Sequence, residues 1–319
     1  MDPLSDVLSL LKPRSYGCGG FDTGGDVSIG FPQHDGIKCY SVVTGSAWLT
    51  VDDVADAVQL SAGDCFVLPR GLPFRLATDP ALPPVDYRLM LTGKSSGTVR
   101  IFNGGGNCMI VGGHFALDGK HADILLSALP PIVHIRSEAD KAVLRWSLDR
   151  MMQELREPQP GSLMIVEHLA QMMLVQALRL YIGEAQVGRV GWLFALADRQ
   201  MGSAIGAIHD DPARRWTLQS LAQSVGMSRT SFAQKFKAMV GVSPMDYLTR
   251  WRMMLAGDRL INSDDAMSVI ALSFGYESES TFSTAFKRVM GHSPRRYGRS
   301  HIANRSRPGA DDDERAIGR

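Results

Sequence analysis

Residues 221–247 and 270–297 repeat one pattern, and that repeat constrains the fold of this 319-residue chain more than any other feature. The first copy reads LAQSVGMSRTSFAQKFKAMVGVSPMDY and the second IALSFGYESESTFSTAFKRVMGHSPRRY. Ala222 and Gly226 recur 49 positions later as Ala271 and Gly275. Phe232, Phe236, Gly241, Pro244 and Tyr247 recur 50 positions later as Phe282, Phe286, Gly291, Pro294 and Tyr297. One order of matches with one inserted residue marks a supersecondary unit used twice.

Each copy reads as helix, tight turn, helix. A small alanine on the first helix lets the second pack close. The glycine ends the first helix, where a left-handed backbone suits Gly best. Ser228 and Ser278 stand where an N-cap belongs. A short Gly-containing turn between two helices is the helix-turn-helix connection.

At about 100° per residue, Phe232, Phe236 and Met239 form one stripe of the second helix. Thr230, Ala233, Gln234 and Lys237 form the opposite stripe. In the second copy, Phe282, Phe286 and Val289 oppose Ser280, Ser283, Thr284 and Lys287. The phenylalanines read as core. The other stripe is small and polar, then basic, which suits base edges and phosphates in a major groove. One such stripe alone would read as a solvated face. Charge favours the groove: residues 213–300 carry 13 Lys/Arg against 6 Asp/Glu, whereas residues 1–212 carry 17 against 23. A basic segment beside an acidic one is the footprint of a polyanion partner on one half. Between the copies, Leu248, Trp251, Met254, Leu255 and Leu260 predict a buried helix. Arg250 and Arg252 flank it, to contact phosphate or to solvate it.

These motifs resemble the C-terminal DNA-binding domain of the AraC/XylS family, over about 85 residues. The resemblance implies two helix-turn-helix units joined by one long helix. Their recognition helices would enter successive major-groove turns about 34 Å apart. Carried over by position, the base-reading candidates are Arg229, Thr230, Ala233 and Gln234, then Glu279, Ser280, Ser283 and Thr284. The phosphate candidates are Lys237, Lys287, Arg288, Arg295 and Arg296. Gln234 can pair with adenine and Arg229 with guanine or phosphate, whereas Glu279 accepts from cytosine and repels phosphate. The first unit is therefore expected to carry more of the sequence discrimination.

Residues 15–115 hold short β-rich runs (CYSVVTG, SAWLTV, CFVLP, FRLAT) separated by Gly/Pro turns, as in a sandwich or small barrel. This half resembles the cupin-like sensor domain joined to many members of that family, the best local match being GDCFVLPRG at 63–71. The resemblance also shows what is missing. Phe74 stands where metal cupins place a histidine, and Lys38 stands at the expected acidic position. His34 alone lies near the first motif, and one histidine beside a lysine does not hold a metal. No metal or cofactor is expected. A barrel of this size can hold a small effector, with Phe21, Phe31, His34, Tyr40, Trp48, Phe66 and Phe74 as candidate lining or plain core. His114, His121 and His134 read as ordinary polar contacts. The four cysteines show no CxxC spacing and read as scattered reduced thiols, with Cys18 a candidate sensor of oxidants.

Helices are predicted at 138–157 (Val143, Trp146 and Leu148 at helical spacing, Pro158 as stop), from an N-cap at Ser162 to Ile182, and within 183–211. Along the second, Leu163, Val166, Leu169, Met173, Leu174, Ala177, Leu178 and Tyr181 fill one side. Met172, Met173, Leu174 and Leu178 are a candidate dimer seam or a face for the barrel. HADILLSALP at 121–130 reads as a short apolar stretch.

The fold class is α+β: a cupin-like β-barrel (1–125), a helical dimerisation or linker region (126–211), an all-α domain with two helix-turn-helix units (212–300) and a disordered tail (301–319). No apolar run reaches the ~18 residues of a membrane span, and MDPLSDVLSL lacks the features of a signal peptide. The chain is thus expected to be a cytoplasmic, nucleoid-associated bacterial transcription regulator, an activator by family tendency and no enzyme. Its expected partners are promoter double-stranded DNA, RNA polymerase, a small-molecule effector and a second copy of itself. Two alternatives remain: an effector-independent dimeric regulator, and a metal cupin enzyme carrying a DNA-binding domain.

Overall fold

The computed structural model describes residues 2–12, 14–91, 94–96, 99–116, 129–183 and 190–305. They group into two compact units. One takes the described residues between Pro13 and Leu117 and between Leu129 and Glu184; the other takes those before Pro13 and between Ala185 and Ala310. The apolar stretch at 121–128, with His121, and the tail from 306 onward lie outside the described residues, as does the 125/126 boundary.

The first unit is built on two sheets. Its strands are β1 (Arg14–Thr23), β2 (Ser28–Phe31), β3 (Ile37–Thr44), β4 (Ser46–Val51), β5 (Val58–Ser61), β6 (Cys65–Leu68), β7 (Phe74–Ala77), β8 (Val85–Asp86), β9 (Lys94–Ser96), β10 (Val99–Phe102), β11 (Cys108–Ala116) and β12 (Val133–Ile135). Seven strands form one sheet in the order β12-β6-β3-β11-β1-β10-β9, and five form the other as β5-β4-β7-β2-β8. The β3–β4 turn needs glycine: Gly45 has φ +78°, and a Cβ there would meet the Asn107 carbonyl oxygen at 1.9 Å. Side chains alternate between faces along a strand. In β4, Ala47, Leu49 and Val51 therefore point to the core and Trp48 points away. The expectation that Trp48 lines the barrel is corrected by that parity.

In β6 and β11 both faces are buried, because helices cover the outer face of the large sheet. The helix Glu138–Arg156, capped by Ser137, buries Leu144, Leu148, Met151 and Leu155. Val143 and Trp146 lie outside that stripe, and Trp146 is 65% exposed. The helix Ser162–Gly183 packs on β1, β3, β6, β11 and β12. Val166, Leu169, Met173, Leu174, Ala177, Leu178 and Tyr181 are all buried there, at about 1.5–3 kcal/mol for each large apolar side chain. Leu163 is exposed. Met173, Leu174 and Leu178 are thus buried within this unit and offer no free face for a seam; Met172 is half-buried. Ser162 is a helical residue rather than the cap. Its hydroxyl accepts from the Gln159 N–H at 2.7 Å and donates to Glu154 at 2.5 Å, closing the preceding loop. An 18-residue window of this helix has a mean hydropathy of 1.3, apolar and long enough by composition to cross a membrane, which the count of unbroken apolar residues missed.

The second unit is helical. We number its helices α1 (Pro3–Leu11), α2 (Trp192–Ala195), α3 (Arg199–Asp210), α4 (Leu218–Ser224), α5 (Arg229–Val240), α6 (Pro244–Asn262), α7 (Met267–Ser273), α8 (Glu279–Met290) and α9 (Pro294–Arg305). The helix sought within 183–211 is two, because Asp198 starts α3 by accepting from the N–H groups of Gln200 and Met201. The N-terminal helix α1 also belongs here. Its Leu4, Val7, Leu10 and Leu11 are buried, it packs on α3 and α6, and Lys12 pairs with Asp258 of α6 at 2.6 Å. His209, buried at the end of α3, stacks on Trp251 at 3.8 Å and meets the Tyr247 hydroxyl at 2.9 Å and the Asp6 carboxylate at 3.3 Å.

Candidate nucleic-acid interface

The two copies fold alike because the same residues do the same work. Ala222 and Ala271 are buried on α4 and α7. Gly226 and Gly275 turn the chain at φ +68° and +79°. Ser228 caps α5 through the Ser231 N–H, and Ser278 caps α8 through the Thr281 N–H, both at 3.2 Å. Phe232, Phe236, Phe282 and Phe286 are fully buried. Tyr247 and Tyr297 close the two cores edge-on to Phe236 and Phe286, at 5.8 and 5.4 Å. Between them α6 buries Leu248, Trp251 and Met254, with Leu255 and Leu260 partly buried.

Burying the phenylalanines turns the opposite stripes outward. Arg229, Thr230, Gln234 and Lys237 are exposed on α5 and Ala233 is half-buried. Glu279, Ser280, Thr284, Lys287 and Arg288 are exposed on α8 and Ser283 is half-buried. Arg295 and Arg296 are exposed in the first turn of α9. Thr284 donates its hydroxyl to the Ser280 carbonyl at 3.0 Å, so this hydroxyl meets a ligand chiefly as an acceptor.

Not every nearby cation faces outward. Lys235 turns back to Asp198 at 2.8 Å and donates to Gln200 at 3.2 Å, tying α5 to the start of α3. Gln200 in turn donates to the Val225 carbonyl in the first turn, at 3.1 Å. Arg252 donates to the carbonyls of Pro212 and Arg214, at 2.6 and 2.8 Å. Burial lowers its pKa. It therefore pins the strand of chain entering α4. Arg250 is exposed and lines a groove with Asp246, Thr249, Arg288 and Val289. Sequence reasoning missed that groove, because its residues come from helices 40 positions apart.

In the β-rich unit, Phe21, His34, Tyr40, Phe66 and Phe74 do come together. Phe21 meets Tyr40 at 6.3 Å, Tyr40 meets Phe66 at 5.7 Å, and His34 meets Phe74 at 5.8 Å. Phe31 stacks on Phe74 at 4.4 Å. Lys38, standing where metal cupins place an acid, is buried on this inner face, its Nζ 5.7 Å from the Phe74 ring and 5.8 Å from Phe31. Strand parity with Tyr40 was the available signal. Both His34 ring nitrogens are buried, and His34 faces His114 at 5.6 Å. Burial, then Lys38 and His114, lower the His34 pKa to about 3, which keeps the ring neutral. His114 bonds the Asp35 carbonyl and His134 bonds Asp64 at 2.9 Å, ordinary polar contacts for both.

A family profile described as Cupin matches residues 2–183, and one described as Helix-turn-helix domain matches residues 221–300. A putative AraC-like transcription regulator of Streptomyces lividans is 40% identical over 298 residues, covering 93% of this chain and 98% of that protein. The HTH-type transcriptional regulator AlkR of Acinetobacter baylyi is 30% identical over 312 residues, covering 93% and 99%. Among solved structures, the DNA-binding domain of AdpA in complex with a target DNA is 25% identical, with a TM-score of 0.32, covering 33% of this chain and 95% of that one.

Proposed function

The chain belongs to the AraC-like transcription regulators, with a cupin domain ahead of a helix-turn-helix domain that binds DNA, and on that premise we propose how its residues divide the work. Arg229, Thr230, Ala233 and Gln234 of α5 and Glu279, Ser280, Ser283 and Thr284 of α8 read bases. Lys237, Lys287, Arg288, Arg295 and Arg296 hold phosphates. The observation that carries this reading is the matched outward stripe on two helices whose inner stripes are fully buried phenylalanine. Sites reached by two such helices on one face of DNA are expected about one helical turn apart.

The regulator acts in the cytoplasm on promoter DNA as a homodimer, which brings four helix-turn-helix units to two half-sites. A small effector in the barrel, among Phe21, His34, Tyr40, Phe66 and Phe74, biases promoter occupancy and RNA polymerase recruitment, with activation as the outcome. Genome-wide mapping of binding sites with and without candidate inducers tests the reading. Paired half-sites whose occupancy responds to an inducer are expected, and unstructured binding across the genome overturns it.

A second reading has its own support: the inner face holds stacked rings, with Phe31 on Phe74 at 4.4 Å and interplanar angle 5°. In that reading the barrel serves only dimerisation. Flat thermal-shift profiles across a broad metabolite panel favour it. The relatives are transcription regulators, and an enzymatic cupin is not part of the proposal.

A further inference from the structure

Cys39 on β3 and Cys65 on β6 sit on neighbouring antiparallel strands with their sulfurs 3.9 Å apart. Cys39 pairs with Val67 and Cys65 with Ser41, so both thiols point away from the inner face that holds Tyr40 and Phe66. The outer face is roofed by the helix Ser162–Gly183. A Cβ on Gly113, the β11 partner of Cys39, would lie 3.1 Å from Ala170 of that helix. The two thiols are 2% and 0% exposed. Cys18 sits two strands from Cys39, paired with Gly113.

We propose that Cys39 and Cys65 form an oxidisable dithiol, the site at which a small, uncharged two-electron oxidant of the hydroperoxide class installs an intramolecular disulfide. Contact between the sulfurs supplies the proximity: they lie 3.9 Å apart on a diagonal cross-strand pair, and a disulfide forms as they close to about 2.05 Å with a small shift of the two strands. The polar surroundings supply the chemistry. The contact with Cys39, and the Ser41 hydroxyl after it, lower the Cys65 pKa against the opposing effects of burial and Asp64, which favours its thiolate over that of Cys39. Cys39 retains its proton, its own pKa raised by the same contact and by burial.

Cys108 is the internal contrast. It is a lone buried thiol among Val42, Leu49 and Phe66, and burial pushes its pKa up to about 11, the setting of an inert core cysteine. In the proposed step the Cys65 thiolate attacks the peroxide and becomes a sulfenic acid, releasing hydroxide. The Cys39 sulfur then attacks the Cys65 sulfur, expelling water as the disulfide forms. Two thiols and one hydrogen peroxide give one disulfide and two waters. Near-complete burial limits the oxidant to small neutral species.

The test uses the full chain, reduced, desalted and treated with hydrogen peroxide near stoichiometry. Free thiols are then blocked and the non-reduced chymotryptic peptides mapped by mass. A Cys39–Cys65 link is expected, reversed by dithiothreitol, with the pair lost at least about tenfold faster than Cys108. Cys39→Ser and Cys65→Ser each abolish the link, while Cys18→Ser and Cys108→Ser retain it. Mapping of the unaltered chain decides the matter even if a serine variant fails to fold. The proposal is overturned if Cys39 and Cys65 stay reduced while Cys18 consumes the oxidant, or if the link forms only after unfolding in urea.

Discussion

Lys235 lies 2.8 Å from Asp198, so the recognition helix α5 commits one lysine to its back and leaves Lys237, two residues on, exposed on its front. The two cations should therefore behave differently on DNA. Each phosphate contact contributes about 0.9 to the slope of log affinity against log salt. Lys237→Ala should lower that slope by about one, whereas Lys235→Ala should leave it unchanged and weaken binding by less. Fluorescence anisotropy on one operator at four salt concentrations distinguishes them. Equal slopes for both variants would remove Lys237 from the interface.

The two readers are chemically unequal. Gln234 can form a bidentate pair with adenine, worth about 1–3 kcal/mol of discrimination, while α8 offers two hydroxyl donors-acceptors and Thr284 already donates to its own helix. Gln234→Ala should flatten preference at one base of the segment read by α5, and Ser283→Ala should change the segment read by α8 by less. Unchanged preference at every base of the α5 segment after Gln234→Ala would sink this assignment.

His209 makes the helical unit sensitive to acid. Burial, which outweighs Asp210, lowers its folded pKa to about 3 against an ordinary value of 6.5. The unfolded chain thus binds one more proton between those values. Stability is full above pH 6.5 and falls as pH drops toward 3, by about 1.4 kcal/mol per pH unit for this proton. His34 adds a second such proton in the other unit. Urea unfolding of the full chain between pH 7 and 5 should show a shallower pH slope for His209→Gln, though that variant starts less stable.

Asp64 locks a helix to the barrel. Its carboxylate meets Lys141 and His134, each at 2.9 Å, and accepts from the Ser61 N–H at 2.9 Å. Burial pushes its pKa up, but Lys141, the Ser61 N–H and His134 together leave it below the usual 3.8. Its stabilisation is therefore full above pH 3.8 and is lost as pH falls through the lowered value. Asp64→Asn leaves Lys141 with the exposed Glu138 alone and should cost about 3 kcal/mol, read from urea midpoints near neutral pH. A cost under about 0.5 kcal/mol would show that the network is not structural.

Much of the helical unit was legible because it is local. A serine cap, a left-handed glycine and phenylalanines one turn apart act within a dozen residues, and the repeat states them twice. The β-rich unit was less legible, since parity has to be anchored by pairing. Without the β4 register Trp48 looked like lining, and without β3 the inward Lys38 looked only like a missing acid. The helix Ser162–Gly183 showed an apolar side but not what covers it. Trp146 looked like core because a helical period can be phased more than one way. The groove beside Arg250 and the seat of α1 depend on contacts between distant segments, which no local pattern encodes.

That seat has a consequence in time. Helix α1 is synthesised before its partners α3 and α6, which lie about 190 and 230 residues downstream. At roughly 5–20 residues per second, the apolar face of Leu4, Val7, Leu10 and Leu11 waits roughly 10–40 s for the first of them. The whole barrel is synthesised in that interval. The nascent chain therefore carries this unpaired apolar helix face through the whole interval, and the helical unit closes only after α6 has emerged.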